Sequence, residues 1–300
     1  MASPVNHFSK PPVPGVRAVI FDISGTVVDF GCHGPVAAFV ELFARHRVNV
    51  SVAEVREPMG AHKRDHIWKL LSDPAIASRW ETAHGVVPTR ALLDQLCAEF
   101  VPLQVEILAR HCELIPGAAE VAASLRQAGI KVANTTGFES GMIEHLVRSA
   151  EAAGYVPDLW VCSDQVGQGR PAPWMIFHAA RHLNVYPLRT FVKVGDTPAD
   201  IAEGHAAGTW VVAVVASGNE VGCSAEELAA WPAAEREARL DAARRKLAAA
   251  RPHYLIDTVA DLMPVIREIS ARIDRGEMPS PHGETLPVHV EDRAALPFSH

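Results

Sequence analysis

Three hundred residues, 48% of them hydrophobic, are enough to bury a sizeable core as one large domain or two smaller ones. The formal net charge of −7 offers no electrostatic case for nucleic acid or an anionic membrane, both of which need clustered Lys and Arg, and no uninterrupted apolar run could span a bilayer. Five scattered cysteines without Cys-x-x-Cys spacing support neither a disulfide framework nor a zinc knuckle. The N-terminal MASPVNHFSKPPVPG carries no apolar core of signal-peptide length, so the expectation is a cytoplasmic protein.

In chain order, the first element is the apolar run Ala18 to Phe21, which reads as a strand buried on both faces. It ends in Asp22, followed by Ser24, Gly25 and Thr26, with Gly25 marking a sharp turn. From Cys32 to His111 no strand is evident, and three stretches carry apolar residues at helical spacing. Beyond that, IKVAN, LWVC, FVKV, WVVAVV and a weaker YLI alternate with helical patterns at Ala118 to Ala128, Gly141 to Ala153, Trp174 to Leu183 and Asp200 to Ala207. Strands alternating with helices predict an α/β fold, a Rossmann-like, doubly wound, mostly parallel sheet, with an all-helical insertion after the first strand. The boundaries expected are 14–31 and 112–273 for the sheet core and 32–111 for the insertion. The stretch from Ser224 to Arg251 reads as one or two surface helices broken at Pro232, with Arg244, Arg245 and Lys246 on a solvated face. Residues 1–13 and the proline-rich 276–300 are expected to be disordered tails.

Parallel strands gather the residues after their carboxyl ends on one edge, where open α/β sheets bind ligands. Asp22 follows the first strand, Thr135 and Thr136 the second, and Asp196 and Asp200 follow FVKV; the loop GQGRPAPW adds Arg170. Two or three carboxylates, a hydroxyl and a guanidinium converging there suit a hard divalent cation such as Mg²⁺ and a phosphoryl group.

Asp-x-x-Gly-Thr, the Thr after the second strand, a cation before Pro-x-Pro and Gly-Asp-x-x-x-Asp, in this order, resemble the four motifs of the haloacid dehalogenase superfamily. The resemblance covers about Val16 to Ile273. It implies Asp22 as a nucleophile that forms an aspartyl-phosphate and ligates Mg²⁺ with the Ser24 backbone carbonyl and Asp196, while Asp200 supports the metal shell. Thr136 holds a phosphoryl oxygen, and Arg170 takes the place usually held by Lys. The insertion's EPMGAHKRDHIWKLL is similar to the cap-domain signature of phosphonoacetaldehyde hydrolases, or phosphonatases, and FGCHGPVAAFVELF, NTTGF, GRPAPWM and VKVGDTPADIAEG continue that likeness. The implied reaction is hydrolysis of phosphonoacetaldehyde to acetaldehyde and phosphate through a Schiff base at Lys63. His66 would serve proton transfer or orientation at Lys63, Met59 and Gly137 would join Ser24 at the substrate, and the implied assembly is a homodimer through the caps.

Chemistry supplies an independent argument. Superfamily phosphatases usually place an Asp general acid two residues after the nucleophile, and here that residue is Ser24. A serine hydroxyl is a poor acid, so ester turnover loses a factor of roughly 10² to 10⁴. Carbon–phosphorus cleavage instead needs an electron sink, which an iminium at Lys63 provides. Two residues depart from the phosphonatase pattern: Ile23 and Ser24 stand where Trp-Ala is general, and Phe138 replaces a Tyr, which puts the exact aldehyde phosphonate in question. Alternatives are a phosphomonoesterase or phosphomutase of the superfamily, favoured if Lys63 points away from Asp22, and a non-catalytic phosphometabolite-binding protein. Lys63 could also be an ordinary solvated lysine, and His62 and His66, at i and i+4, have a spacing that can bind zinc, although no third ligand is evident.

Overall fold

The computed structural model of the protein describes residues 15–280 and 286–287. Strand β1 (Ala18–Phe21) is wholly buried. Its residues alternate between two apolar clusters, with Val19 and Phe21 in one and Ala18 and Ile20 in the other. A strand covered on both faces has no polar alternation to show, which is why it reads as a continuous apolar run.

After β1 the chain leaves the sheet for five consecutive helices, α1 (His33–Arg45), α2 (Val52–Arg56), α3 (Lys63–Ser72), α4 (Pro74–His84) and α5 (Arg90–Leu108). Three of the five starts carry side-chain N-caps: Ser51 closes a capping box with Glu54, Asp73 accepts from the amides of Ala75 and Ile76, and Thr89 accepts from Leu92. Buried Phe39, Leu42 and Phe43 of α1 and Leu93, Leu96 and Phe100 of α5 belong to the same core cluster. The alternation then resumes with α6 (Ala118–Gln127), β2 (Lys131–Thr136), α7 (Ser140–Ala152), β3 (Leu159–Cys162), α8 (Trp174–Leu183), β4 (Phe191–Gly195), α9 (Pro198–Ala207) and β5 (Trp210–Val214). It closes with α10 (Ala225–Ala230), α11 (Ala233–Ala249), β6 (Tyr254–Ile256), α12 (Leu262–Asp274) and the two-residue β7 (Leu286–Pro287).

The strands form one sheet in the order β3-β2-β1-β4-β5-β6-β7, every pair parallel. This is the expected Rossmann-like α/β fold with a helical cap inserted after β1. Successive strands are added on one side of β1 up to β3 and on its other side from β4 onward, so the crevice of a doubly wound sheet opens where Asp22 stands.

Two expectations need correction. Within the tail expected to be disordered, Leu286–Pro287 pairs in parallel with Tyr254 and Leu255, and the Ser280 amide donates to His253 Nε2 at 3.0 Å. The outer edge of β6 offers backbone groups that a passing segment can satisfy. The rest of that expectation, 1–13 and the remainder of 281–300, lies outside the described residues. The basic cluster on α11 is not merely solvated: Arg244 pairs with Glu237, Asp241 and Asp257, and Lys246 with Glu57 and Glu220.

Candidate active site

Asp22 leaves β1 with its amide donating to the Val194 carbonyl at 2.8 Å, which fixes it beside the end of β4. The loop then turns at Gly25, whose φ is +81°. A Cβ at Gly25 would collide with the Asp196 carboxylate and the Cys32 sulfur, so glycine meets both the left-handed backbone and the close approach. The result brings Asp22, Asp196 and Asp200 together, each offering a carboxylate oxygen within 4.8 Å of the others.

Each carboxylate is held differently. Asp196 accepts from the Asn219 amide at 2.7 Å, from Thr26 Oγ1 at 3.3 Å and from Cys32 Sγ at 3.3 Å. Asp200 sits in the first turn of α9, where Thr197 caps the helix and donates its hydroxyl to Asp200 Oδ2 at 2.6 Å. Its Oδ1 pairs with Arg170 Nη1 and Lys193 Nζ, both at 3.0 Å. Arg170 spreads its fork over three acids, with Nη2 on Asp22 Oδ1 at 2.7 Å and Nε on Glu203 Oε2 at 2.9 Å besides the Asp200 contact. Nη2 also donates to the Thr135 carbonyl at 2.6 Å.

Four buried carboxylates, Asp22, Asp196, Asp200 and Glu203, thus meet two buried cations, Arg170 and Lys193. Among the described residues no Lys or Arg nitrogen lies within ion-pair distance of Asp196. Burial and the neighbouring Asp22 and Asp200 push its carboxyl well above the usual range. Burial also raises Asp22, against the pull of Arg170. Burial opposes ionisation of Asp200 too, but Arg170, Lys193 and the Thr197 hydroxyl draw it below the usual value. An all-oxygen set with excess negative charge fits a hard divalent cation, which would draw the Asp22 and Asp196 carboxyls back down. The residues that could hold it are Asp22 and Asp196, with Ser24 lining the same cavity; Asp200 is engaged by Arg170, Lys193 and Thr197. Zinc at His62 and His66 gains no support, because His66 is fully buried and stacked on Phe39 with centroids 3.8 Å apart.

The helical insertion roofs this edge. Met59 and Lys63 line one cavity with Asp22, Ser24, Thr136, Gly137, Arg170 and Asp196, and Phe138 completes a wall. The free space is about 30 Å³, on the order of two waters. Lys63, at the start of α3, is 6% exposed rather than solvated. Its Nζ lies 4.6 Å from the centroid of the Phe138 ring and 5.5 Å from that of Phe39. Burial lowers the amine to about 8, against the pull of Asp22 and Cys32. Thr136 Oγ1 accepts from the Phe138 amide at 3.2 Å, which leaves its O–H to donate into the cavity. The Ser24 hydroxyl has no partner among the described residues. His66 does not line the cavity. Among the described residues its ring nitrogens make no hydrogen bond of ordinary geometry, and burial and the Lys63 charge hold the imidazole well below its usual pKa, against the pull of the Val55 backbone.

Comparison with known proteins supplies the family. Residues 16–208 match the model of the haloacid dehalogenase-like hydrolases. The chain is 43% identical over 266 residues to a phosphonoacetaldehyde hydrolase of Nitratidesulfovibrio vulgaris, covering 89% of this chain and 95% of that one. It is 42% identical to one from Paraburkholderia phytofirmans, covering 88% and 99%. A crystal structure of a phosphonoacetaldehyde hydrolase-like protein from Oleispira antarctica superposes with a TM-score of 0.87 at 39% identity, over 91% of this chain and all of that one. The chain belongs to the phosphonoacetaldehyde hydrolase family of haloacid dehalogenase-like hydrolases.

In this family member, sequence reasoning passes over Lys193, Glu203 and Asn219. Lys193 leaves a detectable sign, a charge inside the strand run FVKV that a strand buried on both faces tolerates only when paired. Its partners are Asp200 at 3.0 Å, Glu203 at 3.2 Å and Thr135 Oγ1 at 2.9 Å. Cys32, at the start of the helical insertion, also donates to Asp196. The Tyr-to-Phe departure at 138 keeps an aromatic face against the Lys63 amine.

Proposed function

We propose that the protein hydrolyses the carbon–phosphorus bond of phosphonoacetaldehyde, or of a close aldehyde phosphonate, with Mg²⁺ as cofactor, Lys63 as the imine-forming amine and Asp22 as the nucleophile. The observation that carries this reading is a lysine buried in one cavity with the Asp22 carboxylate, where burial lowers its amine to about 8. About a tenth of such an amine is unprotonated at neutral pH, against well under a thousandth for an exposed lysine. An ester phosphatase has no use for that lysine, and Ser24 gives it no acid.

Lys63 adds to the aldehyde carbon, and loss of water leaves a protonated imine. Asp22 Oδ1 is engaged by Arg170, so Oδ2 is the oxygen that attacks phosphorus. The carbon–phosphorus pair moves into the carbon chain and onto the iminium nitrogen, giving an enamine and an aspartyl-phosphate. One water cleaves the acyl phosphate. The enamine takes a proton at carbon, and a second water releases acetaldehyde and regenerates Lys63, so the net reaction consumes one water. Thr136 and Arg170 orient the phosphoryl oxygens, and Met59 and Gly137 wall the substrate. When bound, Mg²⁺ at Asp22, Asp196 and the Ser24 carbonyl neutralises phosphoryl charge. A neutral His66 with a strongly lowered pKa is a weak base, so its placement beside Lys63 favours orientation over proton transfer. The family likeness extends the proposal to a cytoplasmic homodimer joined through the caps, which light scattering on the purified protein tests.

Borohydride added during turnover should inactivate the enzyme and leave a reduced adduct on the peptide containing Lys63. Asp22→Asn should still form the adduct but release no phosphate, and Lys63→Arg should do neither, because guanidinium stays protonated. Unmodified Lys63 recovered from an enzyme that was turning over would transfer the assignment to the phosphatase alternative.

A further inference from the structure

Among the described residues, two polar seams involving the loop after β5 and α11 meet the helical cap beside the cavity. One is exposed: Lys246 reaches Glu57 at 3.2 Å and Glu220 at 2.8 Å while its side chain stays 44% exposed, an arrangement that contributes little. The other is built into the loop after β5. Arg56, the last residue of α2, sends Nη1 to Asn219 Oδ1 at 3.0 Å and Nη2 to the Gly222 carbonyl at 3.1 Å. Asn219 Nδ2 donates back to the Arg56 carbonyl at 3.2 Å. Asn219 is 1% exposed. Gly222 has a φ of +67°, and a Cβ there would stand 2.6 Å from the Arg56 guanidinium carbon, so the loop is shaped around that group.

Asn219 faces the chemistry as well, since its amide is the 2.7 Å donor to Asp196. On the cap side, the chain runs from Arg56 through Met59 and Gly60, both in the cavity wall, to Lys63. Lys63 comes from the cap and Asp22 from the end of β1, so the seating of the cap sets where the amine stands relative to phosphorus held at Asp22. A device that reports seating to both sides must touch the cap and the catalytic edge at once, and Asn219 does.

We propose that Arg56 and Asn219 form the clasp that seats the cap and thereby positions Lys63 over Asp22, a role that rests on the reading of Lys63 as the imine-forming amine. Both are positioning residues. The planar fork serves two acceptors at fixed angles, which a lysine cannot do, and the directional bonds form only in the seated geometry.

The test reads Lys63 without turnover. Full-length, substrate-free enzyme is pulsed with acetic anhydride across a pH series, and acetylation of the Lys63 peptide is measured by mass spectrometry. The wild-type midpoint should lie near about 8. Arg56→Ala and Asn219→Ala should each move it toward the ordinary 10.5, because the amine regains water while the groups that face it, Asp22, Cys32, Arg170 and His66, are unchanged. Arg56→Lys, the milder variant should Arg56→Ala fail to fold, should give an intermediate shift, and Lys246→Ala none. Asn219→Ala keeps the amide on Asp196, so its Mg²⁺-induced rise in Tm should match wild type. Midpoints unmoved in folded Arg56 and Asn219 variants would overturn the clasp, as would an equal shift in Lys246→Ala. Loss of the Mg²⁺ response in Asn219→Ala would also overturn it, by making Asp196 the residue disturbed. Clasp shifts in the variants, together with a wild-type enzyme that traps no imine, would reject the functional reading and leave the clasp standing.

Discussion

Replacing Arg170 by methionine probes the electrostatic centre of the site with a magnitude the structure supplies. The Arg170 side chain is 2% exposed and pairs with Asp22, Asp200 and Glu203 at 2.7, 3.0 and 2.9 Å. Methionine fills much of the same volume and makes none of these bonds. Lys193 still touches Asp200 and Glu203, at 3.0 and 3.2 Å, so Asp22 is the carboxylate that loses its ion-pair partner. Breaking one buried pair by removing a partner costs about 3–5 kcal/mol. At roughly 2–4 °C per kcal/mol for a chain of this size, Tm should fall by roughly 6–20 °C. Calorimetry in metal-free buffer is the assay, because a bound cation would replace part of the lost charge. Arg170→Lys should fall between, since one nitrogen cannot reach Asp22 and Glu203 together at these distances. An Arg170→Met protein melting within about 2 °C of wild type would refute the view that this guanidinium holds the carboxylates together.

Three further outcomes follow from the same geometry. The folded Lys63 amine titrates near about 8 and an unfolded one near 10.5, so the folded chain releases its proton first and stability rises with pH between those values. Lys63→Met should flatten that rise in urea-unfolding midpoints, and an unchanged slope would contradict the buried placement. Mg²⁺ should raise the wild-type Tm, by about 2.7 kcal/mol of stabilisation at a hundred times Kd, and Asp196→Ala should lose most of the gain; an equal shift in both proteins would remove Asp196 from the ligand set. Ser24→Asp should increase phosphate release from a generic ester by about 10-fold or more by restoring an acid near the leaving oxygen, without benefit to carbon–phosphorus cleavage. Improvement of the phosphonate reaction alone would sink the account of the missing acid.

What the sequence by itself determined is the fold and the edge on which the chemistry gathers. Apolar runs buried on both faces and helical spacing between them are local signals, and a parallel sheet then places every strand's carboxyl end on one side. Asp22, Thr136, Arg170 and Asp196 were therefore legible as a group before any coordinates, and the residues around Met59 and Lys63 were legible through family likeness. Only the tertiary structure decided how the charges are paid for within that group. Arg170 meets Glu203 and Lys193 meets Thr135 across 33 and 58 residues, and Arg56 meets Asn219 across 163. No local pattern encodes such pairs, because each depends on where two distant segments are packed. The state of Lys63 belongs to the same class. As a sequence it is one lysine on a polar helix start; the low pKa that suits it to an aldehyde exists only because the folded cap removes it from water between Phe39 and Phe138.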